Sequence, residues 1–251
     1  QSNKIYSIFY NSEENNIVLS TGDAGVIVLD FIPDNKKPFV TQYKHIESKN
    51  SISSDIVYQT ITDKQGTLWF ATNNGLNCFN FKTKQFKTFT ESDGLCNNTV
   101  LNMSFDFNYN LWLTTTNGLS NFNPTKKNEK GSAFKNYSIS DGLQDNEFNQ
   151  GAAFMCSDGS ILVGGLNGFN YFKPQEIIDN LITPNSFIYS FSRQGKEIQL
   201  DSSMIYKKYI ELPYNQNYFS FELIAQNYIA PEKTKFMYQL VGKDNEWSTP
   251  S

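Results

Sequence analysis

Gly66-Thr67-Leu68-Trp69-Phe70-Ala71-Thr72-Asn73-Asn74-Gly75-Leu76 decides the fold, because the same stretch returns elsewhere in the chain. It recurs as Asn110-Leu111-Trp112-Leu113-Thr114-Thr115-Thr116-Asn117-Gly118-Leu119 and, more worn, as Gly159-Ser160-Ile161-Leu162-Val163-Gly164-Gly165-Leu166-Asn167-Gly168-Phe169. An earlier copy stands at Asn16-Ile17-Val18-Leu19-Ser20-Thr21-Gly22-Asp23-Ala24-Gly25-Val26. The step from Trp69 to Trp112 is 43 residues, and Leu162 follows 50 residues later. A period of roughly 40–50 residues belongs to repeat architectures in which one supersecondary unit stacks on the next.

A second marker travels with the first. Ser92-Asp93-Gly94-Leu95 is matched by Ser140-Asp141-Gly142-Leu143, with Asn98 and Asn146 following at equal distance. Each unit reads as four short strands. In the second unit these are Ile56 to Ile61, Leu68 to Thr72, Leu76 to Phe81 and Phe86 to Phe89. Asp63-Lys64-Gln65-Gly66, Asn73-Asn74-Gly75 and Lys82-Thr83-Lys84 supply the turns between them, since Asn and Gly tolerate the left-handed backbone of tight hairpins. The third unit repeats the scheme at Val100 to Phe105, Leu111 to Thr115, Leu119 to Phe122 and Phe134 to Tyr137. An insertion, Asn123 to Ser132, lengthens its outer turn.

Strand alternation places Trp69 and Ala71 on one face, and Leu68 and Phe70 on the other. Both faces are apolar. A sheet buried on both sides yet joined by short antiparallel links is explained by radial stacking of blades. A plain β-sandwich would not explain the recurrence. The fold class is therefore all-β: a partial β-propeller of three to four four-stranded blades over residues 1–175, expected to be part of a larger propeller. A distinct pattern begins beyond Tyr171-Phe172-Lys173-Pro174. Gln175 to Leu181 is expected to make a short helical turn, and strands are expected at Ser186 to Ser192, Lys208 to Leu212, Phe219 to Ile224 and Phe236 to Leu240. These read as the amino-terminal part of an immunoglobulin-like sandwich over residues 182–251.

Composition narrows the function. The 251 residues carry a formal charge of -4, against the concentrated basic surface of a phosphate-tracking nucleic-acid binder. No run reaches the roughly 20 apolar residues of a transmembrane helix. Cys78, Cys96 and Cys156 lack ligand spacing; Cys78 reads as a small buried hydrophobe, and a disulfide between any two of the three stays open. The single histidine, His45, reads as a surface residue. There is no Gly-x-Ser-x-Gly elbow, P-loop, dinucleotide fingerprint or zinc spacing, so neither a catalytic residue, a metal nor a cofactor is expected. Asp93 and Asp141 recur with the repeat, as turn-capping residues do. Trp69 and Trp112 sit within repeated strands and are expected to pack between blades. Ligand contacts are expected from loops at one rim, with Asn73, Asn74, Asn108, Tyr109, Asn117 and Asn167 as candidates.

The Leu-Trp-x-x-Thr-x-x-Gly-Leu core and the Asp-Gly-Leu-x-x-Asn link resemble the two-component regulator propeller repeat. Phe219-Ser220-Phe221-Glu222, Ala225-Gln226-Asn227-Tyr228, Pro231-Glu232-Lys233 and Phe236-Met237-Tyr238-Gln239-Leu240-Val241-Gly242, followed by Asp244 and Trp247, resemble the Tyr-rich immunoglobulin-like domain that succeeds such propellers. The tandem is similar to the periplasmic region of Bacteroides-type hybrid two-component sensors. The resemblance implies a sensor for glycan-derived oligosaccharides that switches on polysaccharide-utilisation genes. Its parent would be a histidine kinase anchored in the inner membrane and acting as a homodimer. This segment itself would be non-catalytic, without membrane span or nucleic-acid contact, and would meet the rest of its own polypeptide. Tyr228, Tyr238 and Trp247 are then expected in the core of the coupling domain. A secreted propeller enzyme (glycoside hydrolase or lyase) and a protein-interaction scaffold are the alternatives.

Overall fold

A computed structural model describes residues 4–32, 37–48, 50–124, 133–178, 184–193, 195–197, 204–207, 209–213, 218–228, 231 and 234–248. The chain divides into two compact units, residues 1–178 and 179–251. The first is built from four antiparallel sheets in chain order. Blade 1 holds β1 (Ile5–Asn11), β2 (Asn16–Thr21), β3 (Val26–Asp30) and β4 (Phe39–Tyr43). Blade 2 holds β5 (Val57–Thr62), β6 (Leu68–Thr72), β7 (Gly75–Asn80) and β8 (Gln85–Phe89). Blade 3 holds β9 (Val100–Phe105), β10 (Leu111–Thr115), β11 (Leu119–Phe122) and β12 (Phe134–Tyr137). Blade 4 has three strands, β13 (Phe148–Met155), β14 (Ile161–Gly165) and β15 (Gly168–Phe172). Every strand pairs with the one before it, so each sheet is a simple meander.

Three apolar layers join the blades. Leu68 and Phe70 of β6 meet Val18, Val26 and Val28 of blade 1. The opposite face of β6, through Trp69 and Ala71, meets Val100, Met103, Leu111 and Leu113 of blade 3. Trp112 and Leu101 then meet Phe148, Ile161 and Val163 of blade 4. Burying each such side chain contributes about 1.5–3 kcal/mol, which is why the second strand of each full blade is apolar on both faces. The outermost faces of the stack remain apolar as well. Ile8 and Tyr10 on blade 1, and Phe154, Phe169 and Tyr171 on blade 4, are exposed.

Polar side chains set the register between inner strands. Ser7 Oγ accepts the Thr60 N–H at 3.2 Å, Gln59 Oε1 accepts the Met103 N–H, and Asn102 Oδ1 accepts the Gly151 N–H. Asn102 Nδ2 also donates to Thr114 Oγ1 at 2.7 Å and to the Asn149 carbonyl at 2.8 Å. The paired edges of β1, β5 and β13 are each interrupted by a bulge near these residues. An extra residue there turns a side chain toward the neighbouring blade.

The Asp-Gly-Leu links form matching caps. Thr90 N donates to Asp93 Oδ2 and Ser138 N to Asp141 Oδ2, both at 2.8 Å, around short 3-10 turns at Glu91–Asp93 and Ile139–Asp141. Gly94 and Gly142 end these turns in the left-handed region. Asn98 Oδ1 accepts from Glu91 N, and Asn146 Oδ1 accepts from Ile139 N, both at 2.9 Å. The backbone carbonyls of the same two asparagines accept from Gly75 and Gly118 at 2.6 Å, tying each link to the hairpin of the preceding blade. Gly118 has φ +107°, and a Cβ there would stand 2.8 Å from the Tyr137 carbonyl oxygen. Gly118→Ala is expected to lower stability by about 1–3 kcal/mol, read as a lower denaturant midpoint at unchanged slope.

The second unit contains one three-stranded antiparallel sheet, in the order β17 (Lys196–Glu197), β16 (Ser186–Arg193), β18 (Phe219–Ala225). Phe191, Phe219 and Phe221 pack their rings together on it. Four expectations are corrected here. Residues 209–212 and 236–240 are not strands, while Lys208 lies outside the described residues. Of the expected helical turn, the described residues 175–178 show only the end of a 3-10 turn at Pro174–Glu176, and residues 179–181 lie outside the described residues. Tyr228, Tyr238 and Trp247 are 88%, 63% and 62% exposed, not core. The reason is common to these residues: without strands at 209–212 and 236–240, no second layer covers them among the described residues. The described sheet is a single layer, so a sandwich is not formed among the described residues.

Candidate functional site

The meander gives the propeller unit two chemically different ends. Hairpins between second and third strands share one end with the links to the next blade; call this the link rim. Turns between first and second strands, and between third and fourth, share the opposite end; call this the turn rim. The six loop candidates therefore do not lie at one rim. Asn73, Asn74, Asn117 and Asn167 are on the link rim, and Asn108 and Tyr109 are on the turn rim. Strand directions alternate, so successive loops of one blade fall at opposite ends.

On the link rim the asparagines are largely committed to structure. Asn74 Nδ2 donates to the Ser53 carbonyl at 3.2 Å, and Asn73 Oδ1 accepts from Thr99 Oγ1 at 3.5 Å. Asn167 Nδ2 donates to Asp145 Oδ2 at 2.6 Å, and its N–H donates to Gln144 Oε1. The Asn117 N–H is held by Thr115 Oγ1 at 3.0 Å. One bond recurs in blades 2 and 3: the Asn74 N–H donates to Thr72 Oγ1 as the Asn117 N–H does to Thr115 Oγ1.

The turn rim has a repeated frame with unlike side chains. Asp63 Oδ1 accepts from the N–H groups of Gln65 and Thr67, and its Oδ2 accepts from Trp69 Nε1 at 3.0 Å. Asp106 does the same for Asn108, Asn110 and Trp112 Nε1, the last at 3.1 Å. The carboxylate thus fixes the turn and satisfies the buried indole N–H at once. Blade 4 departs at both positions together, with Cys156 where the aspartate stands and Leu162 where the tryptophan stands. Its turn keeps the backbone bonds Cys156 N to Ser160 O and Gly159 N to Cys156 O.

In each of these turns one residue has a left-handed backbone: Asn15 (φ +50°), Gly66 (+76°), Tyr109 (+61°) and Gly159 (+83°). Tyr109 is the one aromatic there, and a bulky residue in that region is costly. Lys64 of blade 2 places its ammonium 3.7 Å from the Tyr109 ring centroid, bridging two blades by a cation–π contact worth about 0.5–1 kcal/mol when exposed. Phe107, 55% exposed, lies over Gly159 of blade 4, where a Cβ would come within 2.7 Å of its ring. Lys64, Gln65, Phe107, Asn108 and Tyr109 thus form one continuous surface over blades 2 to 4. Phe107 and Lys64 escaped the sequence reading. The available signal was that residues 64–65 and 107–108 differ in chemistry inside an otherwise repeated turn.

No group of three His, Cys, Asp or Glu side chains suits a metal ion among the described residues. His45 is exposed, with Nδ1 2.9 Å from the Ile52 carbonyl oxygen. All three cysteines are free thiols. Burial pushes Cys78 up to about 11, opposed only in part by nearby Lys87, and burial raises Cys96 as well. At pH 8 Cys78 is expected to react with iodoacetamide at least about tenfold more slowly than an ordinary thiol. The loss of thiolate outweighs the greater nucleophilicity that accompanies a higher pKa. Mass spectrometry of timed alkylation reads this directly.

Residues 51–74, the link and first hairpin of blade 2, match the family model described as two component regulator propeller. Blade 2 thus carries one copy of that repeat. Among curated proteins, histidine kinase P4 of Formosa agariphila is 23% identical over 209 residues, covering 80% of this chain and 12% of the kinase. Among solved structures, one described as the extracellular domain of a hybrid two component system of B. thetaiotaomicron aligns with TM-score 0.44 and 21% identity. That alignment covers 97% of this chain and 38% of the other. PorZ, a surface component of the type-IX secretion system of Porphyromonas gingivalis, aligns at TM-score 0.37 and 14% identity over 67% of this chain and 29% of its own. The chain therefore spans about an eighth of that kinase and well under half of that extracellular domain.

Proposed function

We propose that this chain is a non-catalytic, extracytoplasmic sensing segment of a hybrid two-component histidine kinase, and that the turn rim of its propeller binds glycan-derived oligosaccharide. The observation that carries the reading is the match to the regulator propeller repeat at residues 51–74, in a stack whose turn rim sets unlike side chains on a repeated aspartate frame. Repeat proteins place binding residues where loops depart from the repeat. Exposed Phe107 and the ring of Tyr109 offer flat apolar faces to the C–H side of a sugar. Asn108 and Gln65 supply amides for its hydroxyls. The formal charge of -4 on the chain argues against an anionic ligand.

The open apolar faces of blades 1 and 4 support a place for this unit, residues 1–175, inside a larger propeller, since a monomer rarely leaves such faces in water. Residues 182–251 would begin the Tyr-rich coupling domain, with Tyr228, Tyr238 and Trp247 covered only when its remaining strands pack on it. The parent would sit in the inner membrane with this part in the periplasm, act as a homodimer and regulate polysaccharide-utilisation genes. Signalling requires unequal affinity for two conformations, because equal binding to both shifts nothing.

A thermal-shift screen of the intact extracytoplasmic region against defined oligosaccharides tests this. The expected result is selective stabilisation by one linkage class, with the sugar recovered unchanged. At a hundredfold excess over Kd the gain is about 2.7 kcal/mol. Recovery of shortened sugar would make the protein an enzyme, and no response to any sugar would refute glycan sensing.

A further inference from the structure

The first strands of the four blades lie side by side, β1 by β5, β5 by β9 and β9 by β13, and they differ at one point. In blades 1 to 3 a single extra residue interrupts the pairing with the second strand. It is Tyr6 between Ile5 and Ser7, Tyr58 between Val57 and Gln59, and Leu101 between Val100 and Asn102. In blade 4 Phe148 pairs with Gly165 and Ala153 with Val163, so five steps along β13 answer two along β14. Three residues are extra there instead of one. Insertions into a repeat are where binding residues gather, and bulges re-aim side chains beside functional sites.

Asn102 holds the enlarged bulge from blade 3. Its Nδ2 donates to the Asn149 carbonyl at 2.8 Å and its Oδ1 accepts the Gly151 N–H, one bond on each side of Gln150. Asn102 is buried and also donates to Thr114 Oγ1, so the clamp is itself fixed. Asn149, Gln150 and Gly151 are all exposed. Gly151 has φ +75°, and a Cβ there would meet nothing within 4 Å, so the tip stands clear of its neighbours. A backbone clamped in this way limits the ordering cost when the Gln150 side chain engages a ligand.

The equivalent positions of blades 1 and 2 carry a pair of rings. Tyr6 and Tyr58 have centroids 5.5 Å apart at an interplanar angle of 35°, and Tyr6 is exposed. The Tyr6 ring lies at the link rim, since a Cβ at Gly22, in the hairpin between β2 and β3, would come 3.1 Å from it. Tyr58 packs on the apolar layer that holds Leu101 and Phe148, the residue before the bulge. Tyr6, Tyr58, Leu101 and the bulge thus follow one another from blade 1 to blade 4, at the link-rim end of the first strands.

We propose that this strip is a second carbohydrate site, at the opposite end of the propeller unit from the turn rim. Tyr6 and Tyr58 offer ring faces to the C–H side of a neutral oligosaccharide. Gln150 and Asn149 supply amides that both donate to and accept from its hydroxyls. A ligand lying across several blades must be a chain of sugar units rather than a monomer. The site rests on the glycan-sensing reading and adds a separate contact surface to it.

Calorimetric titration of the intact extracytoplasmic region tests this, with neutral tetra- to hexasaccharides of glucose, mannose, galactose, xylose or fructose as probes. Wild type is expected to bind two molecules of one of these sugars per chain. Gln150→Ala should weaken one of the two by about two- to tenfold, the worth of one neutral hydrogen bond, with the unliganded melting temperature unchanged. Combined with Tyr6→Ala it should leave one sugar per chain, and Phe107→Ala should act only on the other site. A single sugar per chain, weakened by Phe107→Ala and indifferent to Gln150→Ala, would overturn this proposal and leave glycan sensing standing. A single sugar weakened by Gln150→Ala alone would keep this site and refute the turn rim. No binding of any of the sugars to wild type would overturn both.

Discussion

Trp112→Ala lowers the unfolding free energy of the propeller unit by about 3–5 kcal/mol, the range for emptying a large aromatic site in a packed core. Trp112 is buried between blades 3 and 4 against Leu101, Ile161 and Val163. Its ring stacks on Tyr137 and meets Phe172 at a tilt, with centroids 5.6 and 4.9 Å away. Truncation removes all of this and takes the indole donor from Asp106, which is itself buried. Trp112→Phe separates the two contributions. It keeps most of the apolar area but strands one lone pair of the carboxylate, so a smaller loss of about 1–3 kcal/mol is expected. Because repeat units are stabilised mainly by their neighbours, blade 4 should loosen first, visible as faster amide exchange in β13 to β15 than in β5 to β7.

Asn102→Leu is the second large effect, about 2–3 kcal/mol at nearly constant volume. Three hydrogen bonds are lost, two of them to blade 4, and each is worth about 0.5–1.5 kcal/mol. The apolar replacement cannot recover this by burial, since Asn102 already occupies the space. Chemical denaturation of both variants, with a double-mutant cycle between Asn102 and Trp112, should show coupling, because both act on the same pair of blades.

The repeat made most of the propeller readable. All four strands of blade 3 fall at the residues the sequence pattern marks, because short antiparallel strands apolar on both faces have few alternatives. The caps at Asp93 and Asp141 were equally legible, as local bonds over three residues. Asn102 was not, although a lone amide inside Val100-Leu101-Asn102-Met103 is a visible anomaly; its partners lie 47 and 49 residues away. The split of the candidate asparagines between two rims follows from strand direction, which motif copies alone do not carry. In the second unit, runs such as Phe236 to Leu240 have strand composition but no partner among the described residues. Strand formation depends on pairing and burial more than on intrinsic preference.

The proposed reading of ligand by the turn rim is tested most directly by calorimetric titration. The oligosaccharide that stabilises the intact extracytoplasmic region is titrated into wild type and into Phe107→Ala. The ring is largely exposed, so folding should be little affected, and loss of its apolar face should weaken binding about tenfold without changing stoichiometry. Equal affinity for the two proteins would contradict the account and move the binding surface away from this rim.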